Sequence, residues 1–316
     1  MTPPVLRPEP AYAAWPEVFP LPPPRRSFWD EARRPAVFLL LTLVSVFWVG
    51  ANPDPKVFLP RQGLLLVVGL MPILMAHEMG HYLACQRYGV SATLPYFIPF
   101  PLGLVGTLGA FIRIRTRFPN RRALFDIGIA GPLAGFVVCL PMLVLGLREA
   151  TIVPNRPDAG ISLGEPLLFQ WAARVVLGNL PDTVTVLIGP VGMAAWFGLL
   201  VTALNMMPIG QLDGGHVTYA LLRGRAQIVS RLGILACFVL VYLRPTWLLW
   251  SILMVVLRRP HPPTIDDEQP LGTARVLVGI LGFAIFAICF TPSPIYISWS
   301  QFGEAMGELW RYLTSR

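Results

Sequence analysis

The sequence predicts an all-α polytopic membrane protein, with about six to seven transmembrane helices and a small membrane-embedded β-hairpin. Three observations carry that expectation. The chain is 54% hydrophobic. Only 13% of its residues are charged, against about 25% in soluble domains. Apolar runs close to the length of a membrane span recur along it. The formal charge of +8 comes almost entirely from arginine, Lys56 being the only lysine. These arginines lie beside apolar runs, so they read as charges that orient helices in a bilayer and not as nucleic-acid contacts. Cys85, Cys139, Cys237 and Cys289 all sit in apolar runs, and no CxxC occurs. They read as small buried side chains, neither a disulfide frame nor a cysteine metal site.

Residues 1–34, with three successive prolines from Pro22 to Pro24, are expected to be a mobile tail and not a cleavable signal peptide. A first span is expected at 35–50 and a second at 63–84, kinked at Pro72. Residues 90–118 do not read as a helix. They are broken by Pro95, Pro99, Pro101, Gly103, Gly106 and Gly109. Toward their end Phe111, Arg113, Arg115 and Arg117 alternate with Ile112, Ile114 and Thr116, a strand period. A re-entrant loop and hairpin dipping into the membrane is favoured over a surface loop, because the segment is too apolar to float in water.

A third span, 124–147, contains the small-residue stretch GPLAG at 131–135. On spacing alone that stretch reads as plain helix packing. Within the loop that follows, 163–177 reads as an interfacial amphipathic helix anchored by Trp171. Further spans are expected at 184–206, 228–243, 246–257 and 276–290. An amphipathic tail with Trp299 and Trp310 ends the chain. With about seven spans, the arginine-rich loops and the N-terminus fall on one side. The rule that basic residues stay inside makes that side cytoplasmic.

The chemistry lies in the second span. His77, Glu78 and His81 stand in an apolar run, where ionisable groups are costly and mark function by default. His77 and His81 are four residues apart, so on a helix they share a face and suit one zinc, with Glu78 placed to hold a water. Such a motif also occurs on solvated helix faces; the membrane setting favours metal. Hydrolytic zinc takes three protein ligands and leaves a position open. Asp213 is the best third ligand, being the acid of its apolar neighbourhood and on the same membrane side. It also suits a helix N-cap before Gly214-Gly215. His216 reads as a supporting or packing residue and His261 as a loop residue. Asn205 could hold substrate backbone or an oxyanion, or simply end its helix.

HEMGH in one membrane helix and NMMPIGQLDG at the end of a later one resemble the site-2 proteases, the intramembrane zinc metalloproteases. GTLGAFIRIR and FDIGIAGPLAGF are similar to that family's hairpin and small-residue helix. The resemblance implies one Zn2+ held by His77, His81 and Asp213, Glu78 as general base, and Asn205 as a substrate or oxyanion contact. It implies a transmembrane metalloprotease domain at 35–292, with its core at about 63–225 and an amphipathic tail at 293–316. The expected partners are a transmembrane protein substrate and the lipid bilayer, with no nucleic acid. The expected location is a bacterial inner membrane, with a plastid membrane as the alternative, and the site near the cytoplasmic face. No PDZ or nucleotide-sensing domain is legible. Substrate selection is therefore expected from strand addition along 107–117, with Thr107, Gly109 and Phe111 at the edge. A catalytically idle binding relative and a metal transporter are the competing readings. The intact Glu78 disfavours the first, and the lack of other buried acids the second.

Overall fold

The computed structural model describes residues 28–54, 56–154, 162–257, 264–296 and 299–314. Most of the expected tail, together with Arg258, Arg259 and His261, lies outside them. Helix α1 (Phe28–Ala51) starts the described chain and α2 (Pro60–Arg87) returns beside it. Pro60 opens α2, where its missing N–H costs nothing, and the helix continues through Pro72. Strands β1 (Tyr96–Pro99) and β2 (Thr107–Phe111) form the hairpin. Their antiparallel register pairs Tyr96 with Phe111 and Phe97 with Ala110, then shifts before Pro99 and Thr107. The pairing continues irregularly beyond β2. The Thr93 amide donates to the Arg113 carbonyl (3.0 Å) and the Arg115 amide to the Ser91 carbonyl (2.8 Å).

Helix α3 (Arg121–Arg148) crosses next. Asn120 caps it by accepting from the Ala123 amide at 2.9 Å. Lipid offers no hydrophobic drive between helices, so close backbone approach has to supply the packing. A Cβ on Gly80 of α2 would strike the backbone of Ala130 in α3. The small-residue stretch thus seats α3 directly against the helix that carries the ionisable groups.

Two expectations need correction. The fold is not purely α-helical beyond the hairpin. A second small sheet pairs β3 (Thr151–Pro154) antiparallel with β4 (Val184–Leu187). The expected span 184–206 is therefore a strand followed by the shorter helix α5 (Pro190–Asn205). Gly189-Pro190 separates them, and both pieces are apolar, so hydropathy alone reads them as one. Helix α4 (Leu167–Leu177) lies between β3 and β4, with Trp171 exposed.

After α5 an irregular turn leads into α6 (Asp213–Leu222), and a short 3-10 turn joins it to α7 (Ala226–Leu243). Helices α8 (Trp247–Leu257), α9 (Thr273–Cys289) and α10 (Trp299–Thr314) follow. Among the described residues four helical segments are long and apolar enough to cross a bilayer: Trp29–Ala51, Pro60–Arg87, Arg121–Arg148 and Asp213–Leu243. Many large apolar side chains on α1, α7, α8 and α9 face outward, as lipid-facing surfaces do. The protein is thus a mostly helical, multi-pass membrane protein.

One polar tie locks the helices near the end of α2. Arg275 of α9 donates to both carboxylate oxygens of Asp126 in α3, each at 2.8 Å. The Tyr88 hydroxyl, just past α2, donates to the same carboxylate.

Candidate metal centre

Helix α2 presents His77 and His81 one turn apart, both buried, and α6 brings Asp213 to them. One carboxylate oxygen, Oδ2 of Asp213, lies 3.2 Å from Nε2 of His77 and 3.2 Å from Nε2 of His81. The two Nε2 atoms are 3.3 Å apart. Hydrogen bonding explains this triangle poorly, because one ring nitrogen has one lone pair or one proton to offer. A shared ion explains it well. With zinc–ligand bonds of about 2.0–2.1 Å, the edge of a tetrahedron is about 3.3 Å. Two imidazoles and a carboxylate are also a donor set zinc favours.

The surroundings aim these donors. Nδ1 of His81 donates to the Ile127 carbonyl at 2.7 Å. That bond fixes the tautomer and leaves the Nε2 lone pair facing the cluster. Gly131 lies against the same ring, and a Cβ there would collide with it. Asp213 is the first residue of α6, whose cap position is Leu212 with no side-chain cap bond. Its carboxylate is therefore not spent on the helix end. The turn before it is tight enough that a Cβ on Gly214 would run into the Met206 carbonyl.

Glu78 is only 5% exposed and stands beside the donors without joining them. The backbone amide of Ile112, one residue past β2, is directed at its carboxylate. Asn205, the last residue of α5, places Nδ2 3.2 Å from Nε2 of His77. The structure thus brings His77, Glu78, His81, Asn205 and Asp213 together. His216 lies one turn along α6, its ring centroid 5.8 Å from that of Phe118, outside the donor group.

The hairpin residues divide by role. The Thr107 hydroxyl donates to the Ile98 carbonyl at 2.7 Å and accepts from the Gly109 amide at 3.0 Å. Phe111 stacks on Tyr96 at 5.7 Å. The backbone nearest Glu78 lies just beyond them. Three contributors had little or no signal in the sequence. Ile127 and Ile112 act through backbone atoms, which no side chain advertises. Gly131 was visible only as a small residue in a membrane helix.

The comparisons agree with the geometry. The chain is 32% identical over 271 residues to "Probable zinc metalloprotease EGY1, chloroplastic" of Arabidopsis thaliana, covering 81% of this chain and 47% of that protein. The rice protein of the same name (Oryza sativa subsp. japonica) is 31% identical over 272 residues, 82% of this chain and 45% of its own length. "Probable zinc metalloprotease EGY2, chloroplastic" of Oryza sativa subsp. indica is 32% identical over 240 residues, 71% and 43% respectively. The chain therefore spans about half the length of these relatives. The profile of Peptidase family M50 matches residues 65–241, which include the three donors, Glu78 and Asn205, and the chain belongs to that family.

Proposed function

We propose that this chain is an intramembrane zinc endopeptidase, which hydrolyses a peptide bond in or near a transmembrane segment of another protein. One observation carries the reading: three zinc-type donors 3.2–3.3 Å apart beside a buried Glu78, in a helix apolar enough to cross a membrane. His77, His81 and Asp213 would hold the ion. Zinc, when bound, supplies Lewis-acid polarisation and makes an adjacent water nucleophilic near neutral pH.

The rest is the work of this chain's own residues. Glu78 takes the proton from the attacking water and hands it to the leaving amide nitrogen. The Ile112 amide steadies the Glu78 carboxylate between the two transfers. Asn205 donates to the carbonyl oxygen as negative charge develops on it. A substrate helix hides its amides, so it unwinds before cleavage, and strand addition beside the hairpin holds it extended. The site faces the cytoplasm of a bacterial inner membrane; the relatives named as chloroplastic make a plastid membrane the second reading.

The test compares purified wild type with Glu78→Ala in detergent. Zinc is measured in each, and each is incubated with a transmembrane peptide substrate. Zinc in both, with cleavage by wild type alone, supports the proposal. Equal product from both would remove Glu78 as base. Full zinc retention by Asp213→Ala would remove Asp213 from the ligand set.

A further inference from the structure

Residues 111–118 separate two cavities. One, of about 1510 Å³, opens toward the start of α1 and is lined in part by Arg33, Arg34, Arg113 and Arg115. The other, of about 460 Å³, lies on the metal side and reaches Gln211 and His216. The strand-like backbone between them has one used edge and one open edge. Arg113 and Arg115 spend their backbone groups on Thr93 and Ser91. Backbone groups alternate along a strand, so those of Ile112, Ile114 and Thr116 point the other way. The Ile112 amide does so toward Glu78. Among the described residues, no backbone–backbone bond is made by the amides of Ile114 and Thr116. An open edge thus leads away from the base along the smaller cavity.

The side chains of this segment also alternate. Ile112 and Ile114 pack on the cluster of Cys85, Val90, Ala123 and Ile127. Arg113, Arg115 and Arg117 take the opposite face and are exposed. Arg115 is paired with Glu31 at 2.7 Å. Among the described residues, no carboxylate lies within ion-pair distance of Arg113 or Arg117. A strand added to the open edge sets alternate side chains on the arginine face as cross-strand neighbours.

Building on the protease reading above, we propose that the Ile112–Thr116 edge selects substrates whose extended segment carries two acidic residues four positions apart, matched to Arg113 and Arg117. Like charges placed there repel, so a basic segment is rejected as well as an acidic one accepted. Selection then comes from the backbone segment that leads away from Glu78.

The experiment uses one transmembrane peptide host with a helix-breaking Gly-Pro. Two positions of its extended segment, four residues apart, are Glu, Gln or Lys. Cleavage is measured with the zinc-loaded full chain in detergent and in liposomes of varied anionic-lipid content. Binding of the same peptides is measured with Glu78→Gln. Two cross-strand pairs predict about a tenfold preference in kcat/KM and in Kd for Glu over Lys, falling with added salt. The double variant Arg113→Glu with Arg117→Glu reverses the order, a rescue that a misfolded protein cannot give. Binding that follows peptide charge without cleavage leaves the edge assignment standing and overturns the protease reading. Cleavage indifferent to peptide charge overturns the inference. So does a rate that follows anionic lipid and not the peptide, which would make the arginines a headgroup site.

Discussion

Gly131 shows how much one missing methyl group can decide. It faces the His81 ring, where any Cβ would collide, while the Ile127 carbonyl one turn earlier holds the other side of the same imidazole at 2.7 Å. The ring is thus fixed in place and in tautomer by two residues of α3 that offer no metal-binding side chain. Gly131→Ala is expected to push the imidazole out of the triangle and to weaken zinc binding by about 10- to 100-fold, the usual effect of disturbing a ligand's support. Chelator competition on the purified protein measures this. The control is Gly303→Ala, where a Cβ meets nothing and zinc affinity stays as it was. Retention of full affinity by Gly131→Ala would mean that the ring is positioned by other contacts. At this scale the sequence made the ligands legible because imidazole and carboxylate are rare in apolar runs. It left Asp213 divided between cap and ligand, since an acid before two glycines satisfies both patterns. The structure puts Leu212, and not Asp213, at the cap.

Elements were legible where their period differed from their neighbours'. The alternation from Phe111 to Arg117 stood out against helices on either side, and the structure places Ile112 and Ile114 inward, with arginines outward. The strand β4 had no such contrast: Val184–Leu187 is apolar and leads through Gly189-Pro190 into an apolar helix, so its β-branched residues were absorbed into a span. The segment between α8 and α9 had still less signal, yet it is tied down firmly. Its Ile265 amide donates to the Phe118 carbonyl (3.0 Å), and Asp267 accepts from the Tyr219 hydroxyl and the Thr264 hydroxyl, each at 2.6 Å. Burial opposes ionisation of Asp267, but the bonds from Thr264 and Tyr219 outweigh it and hold its carboxyl below the usual range. A carboxyl depressed in the folded state stabilises that state above its unfolded pKa of about 3.9, and the contribution fades as pH falls below that value. The protection factors of the 264–272 amides, measured against their intrinsic exchange rates at each pH, are therefore expected to fall on acidification through that window. Asp267→Asn should show low protection at every pH and lose that dependence. An unchanged acid response in Asp267→Asn would assign the effect to another group.

At the scale of the whole molecule, the chain runs back and forth between two ends of different charge. The metal end holds the start of α1, tied to the hairpin by Glu31 and Arg115, with the starts of α3, α6 and α9. Arg87, Arg113, Arg117, Arg121, Arg122, Arg223 and Arg225 cluster there. The other end joins the Trp196 indole to the Gly164 carbonyl (2.7 Å) and the Trp247 indole to the Pro292 carbonyl (2.8 Å). Its described basic residues are fewer, namely Lys56, Arg61, Arg148, Arg174 and Arg244. The crossings are unequal. Helix α3 has 28 residues, about 42 Å at 1.5 Å per residue, whereas α7 has 18, about 27 Å. Helix α5 has 16 residues and α8 has 11, about 24 and 16 Å, both short of a hydrocarbon core of about 30 Å. Span counting by hydropathy treats these alike, which is why the number of spans was the least legible part of the fold. Charge asymmetry does not depend on that count, and the proposed orientation, with the metal end toward the cytoplasm, rests on it. All four native cysteines are buried, so single exposed cysteines can report sidedness. Asn179→Cys, in the exposed loop after α4, should react with a membrane-impermeant maleimide on intact cells. Glu268→Cys, exposed at the metal end, should react only after permeabilisation. The reverse pattern would turn the protein over in the membrane, set Glu78 near the outer face, and require substrates to present their cleavage segment from outside.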